Sequence, residues 1–592
     1  MSLMQLYKEQ LASHEIRILT IQPNIFSSPI QCSLATVTLD KKPCYGALSY
    51  VWGSPETTGE IVVDLVQVAV TANLASALRH LRHTVDSIVL WIDAICINQG
   101  DNKERSAQVK MMGRIYSNAA TVFLWIGEAD ENSDVAFESM PAIAAGGEGH
   151  NKATDATFGF YSSLDGRPWF SRVWILQEMA LATEDPIVAC GGKRASWSLF
   201  ISAWTVLATR LFSEIGMVRP KPSDSGRGEE REQVVEVLAK LKIDVLNDMR
   251  NAVRKGTGES LRELLLTSRS SESTDPRDKI YALLGMLRSE DRDSYFVIDY
   301  QKPVATVYAE AVAHLFAKGD GPSFLSGMWL SGLEPKIPGL PSWALDFSAQ
   351  SAEVAIDISC IDFNPPSPQS VSGPGAGAIN GVAQDDVRTL KVEALPVDLV
   401  DEVICLDKDF ARCLTQLTDI NQLAAKARTR CSADEGLDQV IGELAGSEPL
   451  WRILISNKAW HSGYDVAPDE YAAMYDELLT HCFQAYGQDP EPETVQTPTN
   501  EYLRCLRDKL PGRAFFTTTK GFIGLSTPVI RPGDEITIWF GATIPFVVRP
   551  IPRTQEFYQL VSGAYVGGIM NGKMVDQVYC EDLLDSKTLF IK

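Results

Sequence analysis

Residues 90–99 read LWIDAICINQ. The stretch opens apolar, as a strand buried on both faces does, and Asp93 then interrupts it where the strand should end. In sheets built from parallel strands, chemistry gathers at the carboxyl ends, where the backbone leaves the sheet and side chains line a crevice. The same ten residues therefore bear on whether a parallel sheet is present and on where its site lies.

Reading outward, short strand patterns alternate with helical ones. Upstream stand IRILTI (16–21), SLATVTL (33–39), YGALSYVWG (45–53) and the hairpin-like EIVVDLVQVAVT (60–71). NLASALRHLRH (73–83) places Leu74, Ala77, Leu78 and Leu81 on one helical face. Downstream, DNKERSAQVKMMGRIYSNA has Asp101 and Glu104 at capping-box spacing, and Met111, Met112, Ile115 and Tyr116 along one side. TVFLWIG follows as another buried strand. RPWFSRVWILQEMALA (167–182) reads as a helix begun near Pro168, and IVAC (187–190) closes the unit. Strands joined by helical crossovers of ten or more residues imply an α/β domain over 1–215 with a largely parallel sheet covered on both faces.

The 592 residues exceed what one core serves, and three domains are expected. The polar stretch 219–232 reads as a linker to a mainly α middle domain over 230–362. There Val234, Leu238, Leu241, Val245 and Met249 make an apolar stripe, and Asp275 before Pro276 signals a helix start. Residues 363–387, rich in Pro, Gly and Ser, read as a flexible insert, and 487–500 as a second such stretch. The remainder, 388–592, reads as α+β and ends, over about 510–592, in short strands spaced like a small antiparallel β-barrel.

The net charge of −22 opposes binding to nucleic acid or anionic membrane. Eleven cysteines without a C-x-x-C pair suggest neither zinc nor a disulfide framework, and fit reduced thiols in a cytoplasmic protein. The start of the chain lacks the apolar core of a signal peptide, and the longest late apolar run, ITIWFGATIPFVV, is too short and broken for a membrane helix. No phosphate loop, nucleophile elbow or H-E-x-x-H motif is present, and His80 and His83 read as a polar surface pair instead of metal ligands.

Three clusters remain that can carry chemistry. Tyr50, Trp52, Gly53, Asp93, Asn98 and Gln99 fall at or just past strand ends, so a parallel sheet would gather them at one rim. Arg105 follows in DNKER. Trp174 and Glu178, four apart on a helix, share a face, and an indole beside a carboxylate raises the acid's pKa and offers a surface on which a heterocycle stacks. Plainer roles stand beside these: Asp93 as a cap or loop holder, the tryptophans as core, Arg105 as a salt-bridging helix residue.

YGALSYVWG, LWIDAICINQ with DNKER, and RPWFSRVWILQE together resemble the fungal heterokaryon incompatibility (HET) domain family. STDPRDKIYALLGM, LPSWALDF and GDEITIWFGATIPFVVRP with YVGGIMNG are similar to segments that follow the HET domain in long members of that family. The resemblance implies non-self recognition and regulated cell death. HET domains are in turn distantly similar to TIR domains, whose sheet is flavodoxin-like and some of which cleave NAD⁺. That comparison implies Glu178 as the catalytic carboxylate; from position, Tyr50, Trp52 or Trp174 would stack the ring and Asp93 would orient the ribose or fix the loop. NAD⁺ would then be a substrate, with no separate cofactor. The rival reading is a non-enzymatic module that kills by self-association or by binding a partner incompatibility protein.

Overall fold

The computed structural model describes residues 6–7, 9–54, 58–146, 155, 157, 159–161, 163–214, 243–291, 297–328, 337–349, 381–382, 388–431, 437–459, 466–486, 500–554, 556–570, 572, 574–576 and 584–592. The linker 219–232, nearly all of the insert 363–387 and of the stretch 487–500, and Val234, Leu238 and Leu241 lie outside them. Two compact units are formed, 1–303 and 304–592. The helical middle stretch is divided between them: helices Ile243–Arg254, Leu261–Thr267 and Asp278–Tyr281 fall in the first, Val304–Lys318 and Gly321–Met328 in the second.

The first unit is built on nine strands: β1 (Glu15–Ile21), β2 (Gln31–Thr38), β3 (Gly46–Ser49), β4 (Thr58–Val63), β5 (Val66–Thr71), β6 (Ile88–Trp91), β7 (Thr121–Trp125), β8 (Ile187–Cys190) and β9 (Lys193–Ser196). Their order across the sheet is β5-β4-β2-β1-β6-β3-β7-β8-β9. At its centre β6, β3, β7 and β8 run parallel, with Leu90, Trp91, Ala47, Leu48, Leu124 and Val188 buried. The expectation of a largely parallel sheet needs correcting, because the sheet is mixed. β1–β2, β1–β6, β4–β5 and β8–β9 are antiparallel. The cause is connection length: β4 and β5 are joined through Asp64 and Leu65 alone, and β8 and β9 through Gly191 and Gly192, too short for a parallel crossover.

Helices α1 (Ala72–Leu81), α2 (Asp93–Cys96), α3 (Asn102–Asn118), α4 (Ser133–Ala144) and α5 (Trp174–Ala180) fall between the central strands. Asp101 caps α3 by accepting from the Lys103 and Glu104 amides at 2.9 and 3.3 Å. The capping box is only half made. The Glu104 carboxylate turns instead to the Asn98 amide at 2.7 Å and to Arg17 at 2.6 Å. The helix expected from Pro168 is also interrupted: a 3₁₀ turn spans Pro168–Ser171, Arg172 is extended, and α5 begins at Trp174. The break arises because Val173 donates its amide to the Glu272 carbonyl at 2.9 Å while the Glu272 amide donates to Ser171, so residues 171–173 pair with a neighbouring segment before helix can form.

In the second unit, β11 (Leu390–Cys405), β12 (Ala514–Thr518), β13 (Ile523–Ser526), β14 (Glu535–Trp539), β15 (Phe546–Pro550) and β16 (Phe557–Val566) close on themselves as β11-β12-β13-β16-β15-β14-β11, all antiparallel. Two strands are added outside the ring: β10 (Gly381–Val382) and β17 (Lys587–Ile591) pair with β11. Closure depends on β11, whose last residues pair with β12 and whose earlier ones pair with β14, with irregularities between Val400 and Glu402 and between Pro396 and Asp398. The expected barrel range of 510–592 therefore omits a necessary strand, separated from the rest by helices running from Phe410 to Lys509. Pro396 and the lack of clean alternation hide β11 from a period-two reading. No helix among the described residues is long and apolar enough to cross a membrane.

Candidate functional site

Ser49 ends β3, fully buried, and its hydroxyl donates to Glu178 Oε2 at 2.5 Å. The Trp169 indole N–H donates to the same Ser49 oxygen at 2.9 Å. Glu178 reaches this point from α5, and Arg172, freed by the break before that helix, donates to the Tyr50 carbonyl. From behind β6, Asp93 opens α2, and its Oδ1 accepts from the Ala94 amide at 2.7 Å while Oδ2 accepts from the Trp52 indole at 2.8 Å. The Tyr50 hydroxyl lies by the Asp93 carboxylate, outside ordinary hydrogen-bond geometry. Residues from 49–52, 93 and 169–178, distant in the chain, thus meet at the carboxyl ends of β3 and β6.

Burial dominates the electrostatics. Glu178 is 3% exposed, and loss of water pushes its carboxyl from 4.5 up to about 7, against the pull of Arg172 and the Ser49 hydrogen bond. Asp93 is raised for the same reason, with Arg172 and the Trp52 indole drawing it back. The phenols of Tyr50 and Tyr116 are held well above their ordinary value by burial beside these carboxylates.

The Glu178 shift has a sign for stability. A raised acid binds its proton more tightly folded than unfolded, so its contribution is complete below about 4.5 and is lost as pH rises through about 7. A shift of that size is worth on the order of 3 kcal/mol. Thermal unfolding of the wild type and Glu178→Gln across this window is expected to show a downward slope with rising pH that the variant flattens. Asp93, and Asp278 raised to about 6, slope the same way, so the difference between the two proteins is the quantity to read.

The remaining sequence candidates divide between this site and its surroundings. Trp52 is 37% exposed and held by Asp93. Gly53 takes φ +80°, which turns the chain past Asn73, whose amide group donates to the Val51 carbonyl at 2.6 Å and accepts from the Trp125 indole at 2.9 Å. Gln99 donates to the Asp93 carbonyl at 3.0 Å, and Asn98 caps its own turn through the Gly100 amide at 3.2 Å. Trp174 and Arg105 belong to a second cluster. The Trp174 indole lies against Asp278, and Arg105 pairs with Asp275 at 3.4 Å and packs 3.6 Å over the Tyr300 ring.

Ser49, Arg172 and Tyr116 were not among the sequence candidates, and Trp169 was weighed only as core against ligand platform. Two carried a signal: Ser49 is the lone small polar residue in a buried strand, and Arg172 is a charge amid the apolar run of RPWFSRVWILQE. Among the described residues no group of three His, Cys, Asp or Glu is placed to hold a metal. His80 instead stacks on Trp125 and faces Glu128 at 3.2 Å.

Residues 45–178 match the family model for Heterokaryon incompatibility protein (HET), a span that begins one residue before β3 and ends on Glu178. Residues 451–584 match the model for the Het-6 beta-barrel domain. A relative, Heterokaryon incompatibility protein 6, OR allele, from Neurospora crassa, is 25% identical over 96% of this chain and 96% of its own length. No solved structure matches the chain.

Proposed function

We propose, from the premise that the chain is a fungal heterokaryon incompatibility protein with a HET domain and a Het-6 barrel domain, that it serves non-self recognition and cell death by cleaving NAD⁺. The observation that carries this reading is the buried Glu178 carboxyl, gathered with Asp93 and Arg172 at the strand ends. Strand order supports it. Taken by first appearance, the four parallel strands stand 2-1-3-4, as in flavodoxin-like sheets, whose ligands sit outside the carboxyl ends where the order reverses. Here that point is the pair β3 and β7, and Ser49, Tyr50 and Trp52 lie on or just past the end of β3.

In the reaction, the bond between ribose C1′ and the nicotinamide nitrogen breaks, and its electron pair leaves with neutral nicotinamide. The ribose passes through an oxocarbenium-like cation that ionised Glu178 stabilises, and water then adds to C1′ and releases a proton. Trp52, exposed yet fixed by Asp93, offers the stacking face for the planar ring. A purely assembling module is favoured by one observation, the closure of Glu178 and Ser49 to solvent.

The test is expression of the wild type and Glu178→Ala in a filamentous fungus, with cellular NAD⁺ and viability followed together. NAD⁺ is expected to fall before viability with the wild type and to stay level with the variant. Undiminished killing by Glu178→Ala overturns the enzymatic reading in favour of assembly.

A further inference from the structure

Serine has one proton and lone pairs to spare, whereas an indole N–H only donates. At Ser49 both facts apply: the Trp169 N–H, 2.9 Å away, occupies the acceptor side of the oxygen, and Glu178 Oε2 lies 2.5 Å off on the other. With Glu178 ionised the carboxylate only accepts, so the chain then runs Trp169 to Ser49 to Glu178. All three residues are buried.

We propose that Ser49 is a positioning residue for Glu178, its hydroxyl, itself held by Trp169, fixing Oε2 of the ionised carboxylate and with it the orientation in which the other oxygen meets the reacting ribose. This rests on the NAD⁺ reading for its catalytic part only. The arrangement has a chemical use. A carboxylate free to rotate would divide its proton and its charge between two oxygens, whereas one oxygen held as acceptor presents the other in a single orientation as the cation develops. The other charged or titratable groups around Glu178 are Arg172 from the break before α5, Asp93 from behind β6, Tyr116 from α3 and Tyr50 from the end of β3. Of these, Tyr116 also has the Leu48 carbonyl at 3.2 Å.

The experiment uses the full chain and two readouts. The titration of Glu178 is followed by the protonated-carboxyl band in infrared spectra, taken as a difference against Glu178→Gln, and nicotinamide release from NAD⁺ is measured in parallel. Ser49→Ala removes one donor to the ionised form, leaving Tyr116 beside it, and the titration is expected to move up by roughly one pH unit, a tenfold gain in proton affinity. Trp169→Phe removes the donor that polarises the serine hydroxyl, weakens its hydrogen bond to the ionised form and moves the titration the same way. Ser49→Thr, which keeps the hydroxyl, restores the wild-type midpoint. In turnover, Ser49→Ala lowers kcat and leaves KM nearly unchanged. A titration unmoved in Ser49→Ala overturns the proposal, and Trp169→Phe decides it in the same way if the alanine variant does not fold. A shifted titration in a protein that releases no nicotinamide upholds the positioning of Glu178 and overturns the NAD⁺ reading instead.

Discussion

Glu104→Ala lowers the unfolding free energy of the first unit by about 3–5 kcal/mol, the cost of leaving a buried charge without its partner. The Arg17 and Glu104 side chains are 4% and 9% exposed and meet through two contacts, at 2.6 and 3.1 Å. The same carboxylate accepts the Asn98 amide, so its loss also strands a backbone donor. Among the described residues Arg17 then keeps only neutral partners, the Cys96 and Glu9 carbonyls at 3.2 and 3.1 Å and the face of Tyr7. Urea unfolding of the full chain measures the effect. The double variant Arg17→Met with Glu104→Leu, which removes both charges, is expected to recover most of the loss. A single-variant loss under about 1 kcal/mol would show the pair to be solvated, against its geometry.

Gly568→Ala acts on the second unit with comparable force. Gly568 sits at φ +87°, where a side chain is strained, and a Cβ there would stand 1.9 Å from the Leu444 carbonyl oxygen. Rigid helix backbone cannot give way as a flexible side chain would. The turn is also tied by the Gly568 amide and the Tyr565 hydroxyl, which both donate to Glu448, at 3.1 and 2.5 Å. Left-handed strain and overpacking each cost about 1–3 kcal/mol, so a combined loss of roughly 3 kcal/mol or more is expected in the same unfolding experiment. An alanine variant as stable as the wild type would mean that this turn is not made as described.

Much of this was legible in the residues. LWIDAICINQ announced a buried strand with a carboxylate at its end, and Asp93 stands at the end of β6, where it both opens a helix and holds Trp52. Glu178 was singled out by its spacing from Trp174, and its catalytic role came only through resemblance. Its partners were harder to read. Ser49 and Trp169 are 120 residues apart, and only the fold sets their hydrogen bond. Trp174 and Arg105 were grouped with the strand-end residues on spacing alone, yet the segment holding Asp275, Asp278 and Tyr300 draws them to itself. The mixed sheet and the early barrel strand were obscured for the same reason: periodicity reports which faces are buried, while pairing direction follows from connection length and from strands far off in the chain.

The central claim, that these segments hold Glu178 as the carboxylate that cleaves NAD⁺, is tested most directly by nicotinamide release from purified full-length protein across the neutral pH range, with Glu178→Gln beside it. Release that rises with pH to a midpoint near 7, as Glu178 ionises, and is absent from the variant is the expected result. Equal release from both proteins, or none from the wild type, would contradict it.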